Sequence, residues 1–205
     1  MAAQGPMDER PGLLFVLSGP SGVGKDALLD RLRGTGAPYH FAITATTRPM
    51  RPDEGDGVDY IFVTKSRFQE MIEGDDLLEW AEVHGHLYGV PRSQVADAID
   101  DGRDVILQVD VQGAATIRKL VPHAVFIFLA PPDMGELERR LSRRMTESPE
   151  KLRLRLETAA RELEAAAQFN YRVVNHADRL DDAVAEVRRI IQMEIRSGRP
   201  DRNPT

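Results

Sequence analysis

A strand, a glycine loop and a helix can be read in succession from residues 13–32. The apolar run Leu13-Leu14-Phe15-Val16-Leu17 leads into Gly19-Pro20-Ser21-Gly22-Val23-Gly24-Lys25, and the helix-compatible stretch Ala27 to Leu32 follows. A strand that is apolar throughout belongs inside a parallel sheet covered on both faces. The spacing G-x-x-x-x-G-K adds chemistry: backbone N–H groups and the helix N-terminus face an anion, and the lysine reaches the outer phosphates. Glycine-rich turns also serve as plain strand-to-helix corners, but such a corner has no use for a lysine directly after the last glycine. The reading is therefore a nucleotide phosphate site. Asp26 stands where the pattern expects Ser or Thr, which weakens the metal assignment more than the fold assignment.

A chain of 205 residues suits one domain with inserted lobes around a sizeable core. With 27 Lys+Arg against 33 Asp+Glu, the net charge of -6 gives no global attraction for nucleic acid or anionic membranes. Anion affinity must then come from basic residues gathered locally. The chain has no cysteine, which excludes a disulfide framework, a thiolate metal site and a thiol nucleophile. No apolar run approaches the roughly 18 residues of a membrane helix, and the N-terminus lacks the apolar segment of a signal peptide. The expectation is a soluble, cytoplasmic protein with no nucleic-acid or membrane partner; its oligomeric state is not readable. Residues 1–12 and 197–205, rich in Gly, Pro and charge, are expected to be a disordered leader and tail.

Aliphatic runs at Leu13 to Leu17, Asp104 to Val109, Ala124 to Leu129 and Arg172 to Val174 alternate with helical spacing at Val95 to Ile99, Ala114 to Leu120, Glu136 to Leu141, Leu152 to Ala167 and Leu180 to Ile195. That alternation predicts an α/β fold with a central parallel sheet flanked by helices. Between about His40 and Arg92 the rhythm changes to short strands and loops, which predicts an inserted lobe. A second excursion, Ser142 to Leu156, carries Arg143, Arg144, Arg153 and Arg155. Loops grafted on a rigid sheet commonly bind and gate.

From about Leu13 to Ile195 the residues resemble guanylate kinases, P-loop enzymes that move the γ-phosphoryl group of ATP onto GMP. The segments GPSGVGK, TTRPMRPDEGDGVDYIFV, LLEWAEVHGHLYG and VDVQGA occur in the family's order, followed by the arginine-bearing lid. The resemblance implies a P-loop NTPase fold over 13–196, with core 13–43 and 93–196, a GMP-binding lobe at about 44–92 and a lid at about 142–157.

Two arginines three apart beside a proline could be no more than a solvated loop. Guanidinium groups nevertheless supply paired planar donors for phosphate oxygens. By resemblance Arg48 and Arg51 grip the GMP phosphate, with Tyr60 and Tyr88 as phenol donors. Glu79, an acid among apolar neighbours, needs either exposure or a partner; by resemblance it accepts from guanine N1 and the exocyclic amine. Thr44, Gly89 and Asp110 complete the implied GMP site. Gly19, Pro20, Ser21, Gly22, Val23, Gly24, Lys25, Asp26, Arg140 and Asn175 form the implied ATP site, and Lys25, Arg48, Arg144 and Arg155 the catalytic set. A charge-rich helix is more often a solvated face than a lid, but beside a phosphate loop inward arginines have charge to stabilise.

The resemblance further implies Mg²⁺ carried with ATP. Asp26 replaces a hydroxyl ligand, and Gln108 stands where an acid is expected near the metal shell. The acid is expected to have moved rather than vanished. A carboxylate ~4 Å from a phosphate charge costs about 4 kcal/mol at an effective dielectric of 20, so Asp26 should face Mg²⁺ or turn outward. Val90 replaces a Ser or Thr near the guanine, which predicts looser base discrimination. His84, His86 and His123 lack metal-ligand spacing. Two other readings stay open here: a non-catalytic binding module of the same fold, and a kinase for another nucleoside monophosphate or phosphorylated sugar.

Overall fold

The protein is described by a computed structural model over residues 10–52, 54–83, 85–142 and 149–197. The expectations for the leader up to residue 9, for the tail from residue 198, and for His84, Arg143 and Arg144 lie outside the described residues. In chain order the elements begin with β1 (Leu14–Ser18), α1 (Lys25–Arg33), β2 (His40–Phe41), β3 (Ala45–Thr46), β4 (Ile61–Phe62) and α2 (Lys65–Glu73). They continue with β5 (Leu77–Val83), β6 (His86–Pro91), α3 (Arg92–Asp100), β7 (Val105–Gln108), α4 (Val111–Leu120) and β8 (Val125–Ala130). The last are α5 (Met134–Ser142), α6 (Pro149–Glu164), a 3₁₀ turn at Ala165–Gln168, β9 (Tyr171–Val174) and α7 (Leu180–Ser197).

A five-stranded sheet of order β2-β7-β1-β8-β9 carries the fold, and the ladders β2/β7, β1/β8 and β8/β9 are parallel. All five residues of β1 and all six of β8 are buried, as expected of strands with neighbours on both edges and helices on both faces. Each large aliphatic or aromatic side chain fully enclosed here, such as Leu17 or Phe128, contributes about 1.5–3 kcal/mol by leaving water. Sequence alternation did not reveal β2, whose two residues are too short to set a period and only half-buried.

The chain forms two compact units, one built on Pro38–Leu107 with the residues up to Leu14, the other on Phe15–Ala37 with Gln108 onward. The first contains a four-stranded sheet, β4-β3-β6-β5, in which β6 is antiparallel to both neighbours. Its strands are short, and it contains a helix that the sequence rhythm does not announce: α2 buries Phe68 and Met71 and is capped by the Thr64 hydroxyl, which accepts from Arg67 N at 3.2 Å. Gly89 is explained by packing in this sheet. A Cβ there would stand 2.9 Å from both Leu77 Cδ1 and Phe68 Cζ, so a side chain would force apart β5, β6 and α2.

In the second unit, α7 packs on α1 and on β9, burying Val184, Val187, Ile190 and Ile191 along one face. Helices α5 and α6 meet through Leu137, Leu141 and Ala159. That small core fixes the position of α6, which carries residues bearing on the phosphate loop.

Candidate active site

The phosphate loop starts where β1 ends. Gly19, at φ 148°, passes so close to β8 that a Cβ would lie 2.2 Å from the Leu129 carbonyl oxygen. Gly24 caps α1 in the left-handed region (φ 101°), and a Cβ there would sit 2.7 Å from Asn175 Nδ2. Both glycines are therefore dictated by backbone geometry and close approach. The loop delivers the N-terminus of α1, with its positive dipole end, at Lys25. Lys25 Nζ lies across the loop and donates to the carbonyls of Gly19 (2.6 Å) and Pro20 (3.1 Å).

The loop is braced from behind. Arg140 Nε donates to Glu136 at 2.7 Å, Nη1 to the Val23 carbonyl at 2.8 Å and Nη2 to the Asn175 carbonyl at 2.9 Å. Asn175 Nδ2 donates to the same Val23 carbonyl at 2.8 Å, and the residue is 4 % exposed. The bonds of Arg140 and Asn175 thus support the backbone of the loop that both residues are expected to share with the nucleotide.

On α6 the two arginines diverge. Arg153 pairs with Glu157 on the exposed face, while Arg155 Nη2 donates to the Ser21 hydroxyl of the loop at 2.9 Å. Two residues apart on a helix is about 200°, so one face cannot hold both. Glu162, two turns beyond Arg155, also bears on the loop, and nothing in its sequence context signalled this. Burial pushes its carboxyl above the ordinary glutamate range; Lys25 and the Ser21 backbone N–H work against that shift, and Asp110 adds to it. Asp110 itself caps α4, accepting from Gly113 N at 2.7 Å.

Asp26 lies in the first turn of α1, where a negative charge suits the helix dipole. Gln108 Nε2 donates to Asp26 Oδ1 at 2.7 Å, so the two residues that the sequence reading singled out near the metal touch. Gln108 Oε1 is buried without a hydrogen-bond partner. One carboxylate and one orphaned amide oxygen fit a cation held mainly by substrate phosphates and water, which is how Mg²⁺ is usually bound. Among the described residues no group of three or more His, Cys, Asp or Glu could hold a metal ion.

The other unit gathers the second cluster. Arg48 and Glu54 form a bidentate pair, Nη2 to Oε1 at 2.7 Å and Nη1 to Oε2 at 3.0 Å, with side chains only 13 % and 11 % exposed. The pair holds Glu54 below the usual carboxylate range, first through the Arg48 hydrogen bond, and keeps Arg48 firmly charged. The Arg48 guanidinium also lies 5.3 Å from the Tyr60 ring centroid, and Tyr60 meets Tyr88 edge-on at 6.1 Å. Arg51 is more exposed, 3.6 Å from Glu54 Oε1. Thr44 is half-buried and offers its carbonyl to Ile61 N at 2.9 Å.

Glu79 decides between the two readings of its strand. It is 6 % exposed while the next residue, Trp80, is 47 % exposed, so the acid faces inward and the aromatic outward. The β5–β6 register pairs Glu79 with Val90, and an irregularity falls between Leu77 and Glu79. Val90 is itself fully buried, a position that suits an apolar side chain.

These features define a P-loop α/β protein carrying an arginine-tyrosine cluster on an inserted sheet. The guanylate kinase family model matches residues 12–194. A guanylate kinase of Desulfitobacterium hafniense is 46% identical over 188 residues, covering 92% of this chain and 93% of that protein. One from Thermus thermophilus is 48% identical over 193 residues, covering 92% and 84%. The crystal structure of guanylate kinase from Anaplasma phagocytophilum superposes with a TM-score of 0.75 at 31% identity, over 90% of this chain and 87% of that one. The chain belongs to the guanylate kinase family.

Proposed function

We propose that the chain transfers the γ-phosphoryl group of ATP to GMP, giving ADP and GDP, with a soluble, cytoplasmic place in purine nucleotide metabolism. The observation that carries the choice of acceptor is the four-stranded sheet. It presents the buried carboxylate Glu79 on β5 and Tyr88 on β6, in the unit that also holds the Arg48–Tyr60 cluster. A buried acid suits the paired N–H donors of guanine, and the cationic cluster suits a phosphate. Within the described residues no helix is long and apolar enough to cross a membrane.

A phosphate oxygen of GMP, already ionised at neutral pH, attacks the γ-phosphorus in line. The new P–O bond forms as the bond to the β-phosphate oxygen breaks, with no covalent enzyme intermediate and no general base. The protein contributes position and charge. Residues 19–26 cradle the ATP phosphates, braced by Arg140 and Asn175, and Lys25 meets the outer ones. Arg155 and Arg144 stabilise the transferring group from the lid at about 142–157. In the lobe at about 44–92, Arg48, Arg51, Tyr60 and Tyr88 hold the GMP phosphate, while Glu79, Thr44, Gly89 and Asp110 serve the base. Mg²⁺ would neutralise phosphate charge, held on the protein side by Asp26 and steadied by Gln108. Asp26→Ala is expected to raise the Mg²⁺ concentration for half-maximal turnover about 10-fold, the scale on which metal-site supports act; an unchanged Mg²⁺ titration removes Asp26 from the metal site.

An ADP-release assay over GMP, dGMP, IMP and AMP tests the whole reading. GMP is expected to lead, with IMP closer behind than in relatives bearing a hydroxyl at the Val90 position. A strong preference for AMP, or no turnover of any monophosphate, overturns it.

A further inference from the structure

We propose that Glu54 is a positioning residue for the acceptor phosphate, clamping one edge of Arg48 and bracing the Arg51 backbone so that the other edge of Arg48 is presented for phosphate. This rests on the reading of Arg48 and Arg51 as the residues that hold the GMP phosphate.

The hydrogen-bond inventory of Arg48 carries the inference. A guanidinium has five N–H donors. Both hydrogens of Nη1 are committed, one to the Pro49 carbonyl at 2.7 Å and one to Glu54 Oε2 at 3.0 Å, and one of Nη2 goes to Glu54 Oε1 at 2.7 Å. The donors left to these partners are Nε–H and the second Nη2 hydrogen, which lie parallel along the Nε–Nη2 edge, next to the clamped one. Tyr60 lies under this guanidinium, 5.3 Å from ring centroid to Cζ, and meets Tyr88 edge-on at 6.1 Å, so two phenols stand beside the arginine. One edge is therefore a fixed hinge and the neighbouring edge a planar fork of two N–H donors, the geometry that suits paired phosphate oxygens.

Glu54 is also built into the loop that bears both arginines. Arg51 N donates to Glu54 Oε2 at 2.8 Å, and Glu54 N returns a bond to the Arg51 carbonyl at 3.1 Å, closing a turn over Pro52. One carboxylate thus sets the angle of Arg48 and the path of the backbone at Arg51. Loose arginines would lose side-chain freedom on gripping a phosphate; a pre-aimed one has already lost it.

The test compares affinity for GMP with affinity for guanosine, which lacks the phosphate, in wild type, Glu54→Gln and Glu54→Asp, with folding followed by circular dichroism. Glu54→Gln is expected to weaken GMP binding about 10-fold, with guanosine affinity and the KM for ATP unchanged. Glu54→Asp, which keeps the charge, recovers part of the loss and is the variant to rely on if the amide does not fold. Unchanged GMP affinity in Glu54→Gln overturns the proposal. So does tighter GMP binding, which would make Glu54 a competitor of the phosphate, and so does an equal loss for GMP and guanosine, which would make its role merely structural. If wild type binds GMP no better than guanosine, the phosphate assignment of Arg48 and Arg51 fails first and the role of Glu54 falls with it.

Discussion

Lys25→Ala is expected to lower turnover by about 10²–10³-fold, the usual scale for deleting a group aimed at developing negative charge in a phosphoryl or acyl transfer site. The ammonium stands within the loop, donating to the Gly19 and Pro20 carbonyls at 2.6 and 3.1 Å, and turns from these carbonyls to the phosphates when they arrive. The loop itself should survive the substitution. Besides the two lysine bonds, its shape depends on the left-handed Gly24, the Gly19 approach to Leu129 and the grip of Arg140 and Asn175 on the Val23 carbonyl, which the substitution leaves in place. The expected signature is a collapse of kcat with only a small fall in melting temperature and little change in GMP affinity. A variant retaining more than a tenth of wild-type kcat in the ADP-release assay would show that Lys25 does not meet the transferred group.

Glu79→Ala should do the second-largest damage, and in a different parameter. Each hydrogen bond to a charged acceptor is worth about 1.5–3 kcal/mol, so losing two from guanine predicts a fall in kcat/KM for GMP of about 10²–10⁴-fold. AMP, which does not present the same donor pair, gains no such contacts from Glu79 and should be affected far less, so the ratio of GMP to AMP turnover collapses. Burial makes the effect large: at 6 % exposure, water cannot easily replace the carboxylate's role. Thermal stability provides the control, since Val90 beside it is core and would report any collapse of the sheet. If the GMP to AMP ratio is unmoved, Glu79 does not read the base.

Some of this was legible because the relevant residues are neighbours in the chain. The phosphate loop is contiguous: its glycines answer backbone demands, its lysine follows directly, and the flanking apolar run and helix announce their own geometry. Arg48 and Arg51 also sit within one short loop, where residue type already implies an affinity for anions. Glu79 was half-legible, since an acid among Leu77, Leu78 and Trp80 had to choose a face, and residue type alone does not choose it; the irregular β5–β6 pairing did.

Other parts had no local signal. Glu162 looks like one more charge on a charge-rich helix until two turns of α6 bring it, with Arg155, against Ser21 and Lys25. Arg140 and Asn175, 35 residues apart, meet directly and at the Val23 carbonyl, and Gln108 reaches Asp26 across β7 and α1. Glu54 stands in an acidic loop where any carboxylate could have been solvent-facing.

By itself the sequence determined the fold class, the phosphate loop and the kind of anion chemistry, because backbone conformation and apolar periodicity act over a few adjacent residues. Only the tertiary structure decided which charges meet. A side-chain hydrogen bond acts over about 3 Å through space whatever the separation along the chain, so the orientation of Arg48, the bracing of the loop and the Asp26–Gln108 contact exist only once the sheets and helices are packed.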